Sequence, residues 1–176
     1  MKVWHSLAEI PGNESAVVTI GNFDGMHNGH KKVIATCIER ARKLGVDAVA
    51  ITFDPHPIQV HRPEVGLQLI SPLRDRLVAM AAAGLDATLV AHYDASVYSL
   101  DADEFVDEYL VGRCGAREVV VGEDFRFGRA NAGTIDTLRA LGRSYGFDVI
   151  TVTDIEAPEG RRWSSSWVRE LLAAGD

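Results

Sequence analysis

Apolar positions along this chain fall into two alternating rhythms. Five short runs, AVVTIG (16–21), VDAVAITF (46–53), DATLVAHY (86–93), REVVVG (117–122) and FDVITVT (147–153), are rich in Val, Ile and Thr. Runs of that length read as strands covered on both faces. Between the first two, Val33, Ile34, Cys37, Ile38, Ala41 and Leu44 recur at helical spacing until Gly45 stops them. A second helix is predicted over PLRDRLVAMAAAGL, entered through Ser71 and Pro72. A third lies in LDADEFVDEYLVGRCG, where Phe105, Val106, Tyr109 and Leu110 share a face and acidic residues fill the first turn. AGTIDTLRALGRSYGF and SSSWVRELLAAG supply a fourth and a fifth.

Five strands alternating with helices predict one α/β domain over residues 1–176, a doubly wound parallel sheet of Rossmann-like type. In such sheets ligands gather beyond the carboxyl ends of the strands. The unusual segments fall there. GNFDGMHNGH follows the first run, DPHPIQVHRP the second and EDFRFGRANAG the fourth. No internal repeat or low-complexity tract interrupts the alternation.

Composition narrows the function classes. With 47% hydrophobic and 24% charged residues, the 176-residue chain can build a sizeable core. A net charge of −7 disfavours general binding to nucleic acid or to an anionic membrane. Cys37 and Cys114 form no CxxC pair and read as buried thiols in a reducing compartment. The first residues lack the apolar core of a signal peptide, and no run approaches membrane-spanning length. The expectation is a cytoplasmic protein.

The loop motifs carry the chemistry. In GNFDGMHNGH, Gly25 and Gly29 leave room for a ligand near the backbone, and the helix start behind them offers free N–H groups to an anion. His27 and His30 can donate to phosphate oxygens without a permanent charge. Two other readings stay open: a turn with incidental histidines, and a zinc site, for which the spacing of Asp24, His56 and His61 gives no support. The motif is neither a Walker loop nor a GxGxxG fingerprint. In TFDPHP two prolines flank His56, a rigid turn that a ligand would order cheaply. Phe125 and Phe127 alternate with Arg126, so ring faces could stack a flat ligand while Arg126 and Arg129 meet phosphates; a hairpin-like loop with two core phenylalanines fits equally. In GRRWSSSWVRELL the serines are either a plain helix cap or, with Arg169 a turn later, a second anion site. Two such helix starts in one small domain suggest a polyphosphate between them.

Taken together these residues resemble a known family. GNFDGMHNGH is similar to the GxFDGxHxGH signature of the HxGH nucleotidyltransferases. TFDPHP, VVGEDFRFG and SSSWVR, in that order, resemble the FMN adenylyltransferase module of bacterial bifunctional riboflavin kinase/FAD synthetases, essentially end to end. The resemblance implies transfer of AMP from ATP to the phosphate of FMN, giving FAD and pyrophosphate, with Mg²⁺. His27 and His30 would hold the phosphates as charge develops, with Arg169 beside them. Gly21, Phe23, Gly25 and Gly29 would shape the adenylate cradle, and Arg162, Ser164, Ser165 and Ser166 would grip the triphosphate tail. Asp124, where some members carry asparagine, would lie near the reacting phosphates and Mg²⁺. His56, Arg62, Asp124, Phe125, Arg126 and Phe127 would face FMN.

Trp163 departs from the family, which usually has a smaller aliphatic residue there. The family also usually continues into a riboflavin kinase domain, and these residues stop near where it would begin. The expectation is therefore a lone adenylyltransferase domain without riboflavin kinase activity, its expected partner being that missing domain. Two competing expectations are an HxGH enzyme with another acceptor phosphate and a flavin-binding module that no longer turns over. The intact His27, His30, Ser164, Ser165, Ser166 and Arg169 speak against the second.

Overall fold

A computed structural model describes residues 1–12, 15–158 and 160–175. Six strands, β1 (Lys2–Trp4), β2 (Ala16–Ile20), β3 (Asp47–Asp54), β4 (Ala87–His92), β5 (Ala116–Gly122) and β6 (Asp148–Val152), form one parallel sheet in the order β1-β4-β3-β2-β5-β6. All five residues of β2 are buried, as its unbroken apolar run requires. Alternate residues serve opposite faces. Val18, Ile20, Ile51, Leu89, Val119 and Val121 join Phe105, Leu110 and Leu138 in one cluster. Val17, Ala48, Ala50 and Val120 join Ile34, Cys37, Ala41 and Met80 in the other.

The helices are α1 (Asn28–Leu44), α2 (Pro57–His61), α3 (Leu73–Ala83), α4 (Ala95–Tyr98), α5 (Ala102–Phe105, continuing as a π-helical turn through Val111), α6 (Ile135–Tyr145) and α7 (Ser165–Ala174). The chain runs outward from β2 through β3 to β4, then returns to place β5 on the other side of β2. That reversal opens a crevice beyond the carboxyl ends of β2 and β5.

The predicted strands stand within a residue or two of their expected bounds, and the doubly wound parallel sheet is the observed fold. Several details differ. A sixth strand, β1, pairs with β4; three residues are too few to show a periodicity. The segment read as a rigid loop after β3 contains α2, with His56 as its cap and Pro57 in the first turn. Leu44, expected on the covered stripe of α1, is 45% exposed at the helix end. Ser71 does not cap α3; Pro72 takes the cap position, and Ser71 turns to the loop after β2. Both cysteines are buried, and burial pushes the Cys37 thiol up to about 12. No helix among the described residues is long and apolar enough to cross a membrane.

Candidate active site

The loop between β2 and α1 is built around a buried carboxylate. Asp24 is 1% exposed, and it accepts hydrogen bonds from the backbone N–H groups of Ser71 at 2.9 Å and Ile70 at 3.2 Å. Arg169 of α7 donates to the same carboxylate, and Ser165 Oγ donates to the Asp24 carbonyl at 2.9 Å. A buried carboxylate is tolerated when paired in this way. The hub ties together β2, the entry to α3 and the start of α7. It also holds an unfavourable backbone, since Phe23 and Met26 adopt left-handed φ values of 52° and 41°.

The glycines serve the protein's own packing. At Gly25, φ is +79°, and a Cβ would lie 2.9 Å from the Ile70 side chain. A Cβ on Gly29 would lie 3.1 Å from the His27 ring. The motif predicts room for a ligand; at Gly25 the room is filled by Ile70, while Gly29 both accommodates His27 and borders a cavity.

His27 is the cap of α1, its Nδ1 accepting the His30 N–H at 3.4 Å. The two rings stack with centroids 3.7 Å apart, and the Phe23 ring meets His30 edge-on at 5.4 Å. Burial lowers both imidazoles from their ordinary range. Arg162 lowers His27 further, while His27 helps bring His30 down to about 3. Both rings are therefore neutral at pH 7. His30 Nδ1 is buried without a partner among the described residues.

These histidines face a cavity of about 280 Å³ at the switch between β2 and β5. Gly21, Phe23, His27, Gly29 and His30 line it from one side, Asp124 and Phe125 from the loop after β5, and Thr153, Asp154, Arg162, Trp163, Ser164 and Ser165 from the last segment. Two helix starts thus converge on it. Ser164 caps α7 by accepting the Trp167 N–H at 3.2 Å. Free N–H groups and the positive ends of both helices favour an anion between them. Arg162 adds a full charge at the rim, paired with Asp124 and with Asp154.

Beyond Phe125 the character changes. Phe53, Tyr93, Tyr98, Phe105, Phe125, Arg126 and Phe127 line an adjoining crevice of about 110 Å³. It opens onto a wider groove bordered by His61, Arg62, Tyr93, Tyr98 and Asn131. Phe125 and Phe127 lie nearly parallel, 5.5 Å apart. Phe127 is also buried in the core and pairs with Gly133 through two backbone hydrogen bonds, so the segment is a hairpin-like loop as well as a ring-lined wall.

Most of the expected site residues come together here. Gly21, Phe23, Gly29, His27, His30, Asp124, Arg162, Ser164 and Ser165 share the polar cavity; Phe125, Arg126 and Phe127 border the aromatic one, and Arg62 the groove beyond it. Four residues stand apart. Ser166 is exposed and lines neither cavity. Gly25 lies behind the cavity against Ile70. His56 is buried as the cap of α2, accepting the Ile58 N–H at 3.2 Å, and burial lowers it. Arg169, expected at the phosphates, is engaged by Asp24 and by the Gln68 carbonyl at 2.8 Å, so it braces α7 against the loop. The motifs do not single out Asp154, Thr153 or Val33, which also line the cavity. Asp24 enters the sequence reading only as a metal ligand.

No group of three or more His, Cys, Asp and Glu side chains converges among the described residues, as a zinc site drawn from protein ligands would need. Asp124 and Asp154 offer a different donor set, two carboxylates at the cavity rim. A hard cation such as Mg²⁺ binds through one or two carboxylates when substrate phosphates complete its shell, so the residues present fit it.

The family model described as FAD synthetase matches residues 9–167. The bifunctional riboflavin kinase/FMN adenylyltransferase of Pseudomonas fluorescens is 39% identical over 170 residues, 94% of this chain and 53% of that protein. The protein of the same name from Escherichia coli strain K12 is 35% identical over 169 residues, 96% of this chain and 53% of that protein. The chain thus spans about half the length of these curated relatives. A solved structure named as a macrolide-efflux protein from Streptococcus pneumoniae superposes with a TM-score of 0.81 at 26% identity, covering 97% of this chain and 56% of that one. Pantothenate synthetase from Thermus thermophilus shares the fold at a TM-score of 0.59 and 16% identity, with coverage of 99% and 77%.

Proposed function

The chain belongs to the FAD synthetase family, and from that premise we propose that it transfers AMP from ATP to FMN, giving FAD and pyrophosphate. The observation that carries this reading is the convergence of two helix starts and a pair of neutral histidines on one cavity, continuous through Phe125 with a ring-lined crevice. The polar cavity takes the nucleotide and its phosphates. The crevice takes the isoalloxazine ring. The FMN phosphate then lies near their junction at Phe125.

FMN brings its own nucleophile, a phosphate oxygen, so no side chain needs to be activated or covalently modified. An FMN oxygen attacks the α-phosphorus in line, the bond to the bridging oxygen breaks, and pyrophosphate leaves. Catalysis is then alignment and charge stabilisation. A neutral imidazole has one N–H to give, and His27 and His30 donate theirs to phosphate oxygens as charge develops. The Ser164 hydroxyl, the Ser165 backbone N–H and the other free N–H groups at the start of α7 hold the departing pyrophosphate, with Arg162 as the mobile cation. Gly21 and Phe23 form the floor beneath the adenylate. Arg169 acts at one remove, by fixing α7 through Asp24. Asp124 would hold Mg²⁺, which would supply positive charge to neutralise the phosphates. Arg62, Arg126 and Phe127 face FMN; His56 supports that side by capping α2.

Incubation of the purified chain with FMN, ATP and Mg²⁺, followed by chromatographic separation of the flavins, tests the reading. FAD is the expected product. Riboflavin, which has no phosphate with which to attack, gives no adenylylated flavin. FMN that binds but returns unchanged would overturn the catalytic reading in favour of a flavin-binding module. Turnover with another phosphorylated acceptor in place of FMN would overturn the substrate assignment.

A further inference from the structure

Arg162 stands between two carboxylates at the cavity mouth, and the two are not equivalent. Its Nη2 donates to Asp124 Oδ2, while its Nε lies 2.9 Å from Asp154 Oδ2. The Asp124 side chain is 59% exposed, on the loop after β5. Asp154 is 28% exposed and lies two residues beyond the last residue of β6, its backbone N–H directed at Glu123 Oε1 at 3.5 Å. A guanidinium is a rigid fork whose Nε edge and Nη ends can serve different partners. With Nε given to Asp154, the Nη end can serve Asp124 or a phosphate. An incoming Mg²⁺–triphosphate offers an anion to the arginine and a cation to the carboxylate at the same moment.

We propose that nucleotide entry exchanges partners at this point: Arg162 leaves Asp124 for the triphosphate, Asp124 turns to the metal, and Asp154 is the positioning residue that keeps the guanidinium in place throughout. The inference rests on the ATP reading above. Without the exchange, Asp124 competes with ATP for the arginine when Mg²⁺ is absent. Exposed pairs of this kind are weak, so the competition is a matter of severalfold and can be reversed by a substrate. Asp154, less exposed and just beyond the end of β6, is the more constrained partner.

A double-mutant cycle separates action through Arg162 from plain repulsion of an anionic nucleotide. Calorimetric titration with ATP in EDTA and in Mg²⁺ is compared for the unaltered chain, Asp124→Asn, Arg162→Ala and the double variant. Asp124→Asn is expected to tighten Mg²⁺-free binding about threefold, the scale of an exposed pair, and most of that gain vanishes in the Arg162→Ala background. Where Arg162→Ala binds too weakly for calorimetry, the same cycle is read from kcat/KM for ATP at limiting Mg²⁺. Asp154→Asn should lower kcat about threefold, with no further loss once Arg162 is alanine. Equal effects of Asp124→Asn in both backgrounds overturn the exchange. An Asp154→Asn loss that persists without Arg162 overturns the positioning role. Failure of the unaltered chain to bind ATP at all overturns the ATP reading and this inference with it.

Discussion

The two halves of the site are built on opposite terms. At the polar end, side chains are held by the chain itself: His27 caps α1, Ser164 caps α7, and Asp24 locks the loop between them. At the crevice, the walls are ring faces, and the polar groups near them are exposed. The first arrangement suits charge that moves during a reaction, because fixed donors need no reorganisation when it appears. The second suits a flat ligand whose own charge does not change, held by stacking. The difference makes a sharp demand. Damage at one end should fall on kcat, and damage at the other on KM.

The largest expected effect lies at the histidines. His27→Ala removes a donor and the cap of α1 together, and kcat should fall about 100-fold, corresponding to roughly 3 kcal/mol of transition-state stabilisation. The KM for FMN should change little. Steady-state kinetics with both substrates varied checks this, and comparable losses in kcat and FMN affinity would remove the division between the two ends. Capping alone contributes about 1 kcal/mol, so thermal unfolding of the variant separates a folding defect from a catalytic one.

A smaller effect is expected at the ring wall. Phe125→Ala removes a stacking partner worth about 1 kcal/mol, and the KM for FMN should rise about fivefold with kcat nearly kept. Fluorescence titration of FMN into the chain without ATP reads the same loss as binding. Because Phe125 borders both cavities, a large fall in kcat would show instead that the wall also aligns the phosphate.

The sequence makes the polar end legible because its motif residues are close in the chain and their spacing reflects local geometry. GNFDGMHNGH holds a loop and a helix start within ten residues. The strands are legible for a similar reason, since a run covered on both faces leaves its mark in every residue. What stays hidden is tertiary. Asp24 looks like any turn aspartate until Arg169 reaches it from the other end of the chain. Asp154 gains meaning only beside Arg162, and Ser71 only beside Gly25. The glycines read as openings for phosphate, yet the Cβ missing at Gly25 makes way for Ile70. A motif records that space is needed, and only packing shows what fills it. The segment after β3 misleads differently: its prolines read as stiffening a loop, whereas Pro57 is a helix entry that His56 caps.

The last effect, and the most specific, concerns protons. A histidine whose folded pKa lies below its unfolded value binds fewer protons folded than unfolded at acidic pH. Its contribution is therefore fully present above the unfolded value near 6.5 and is lost as pH falls towards the folded one. For His30, held down to about 3, that window runs from about 6.5 to about 3, and each pH unit within it costs up to about 1.4 kcal/mol. Urea unfolding should show stability declining over this range. A triphosphate reverses the local balance, because an anion beside an imidazole favours its charged form. ATP binding near pH 6 should therefore take up a fraction of a proton, seen as a calorimetric enthalpy that varies with the ionisation heat of the buffer. Riboflavin, which brings no phosphate to the histidines, should show a much weaker dependence. Equal proton uptake by the two ligands would mean that the imidazoles do not sense the phosphates, and the contrast between the two ends would lose its chemical basis.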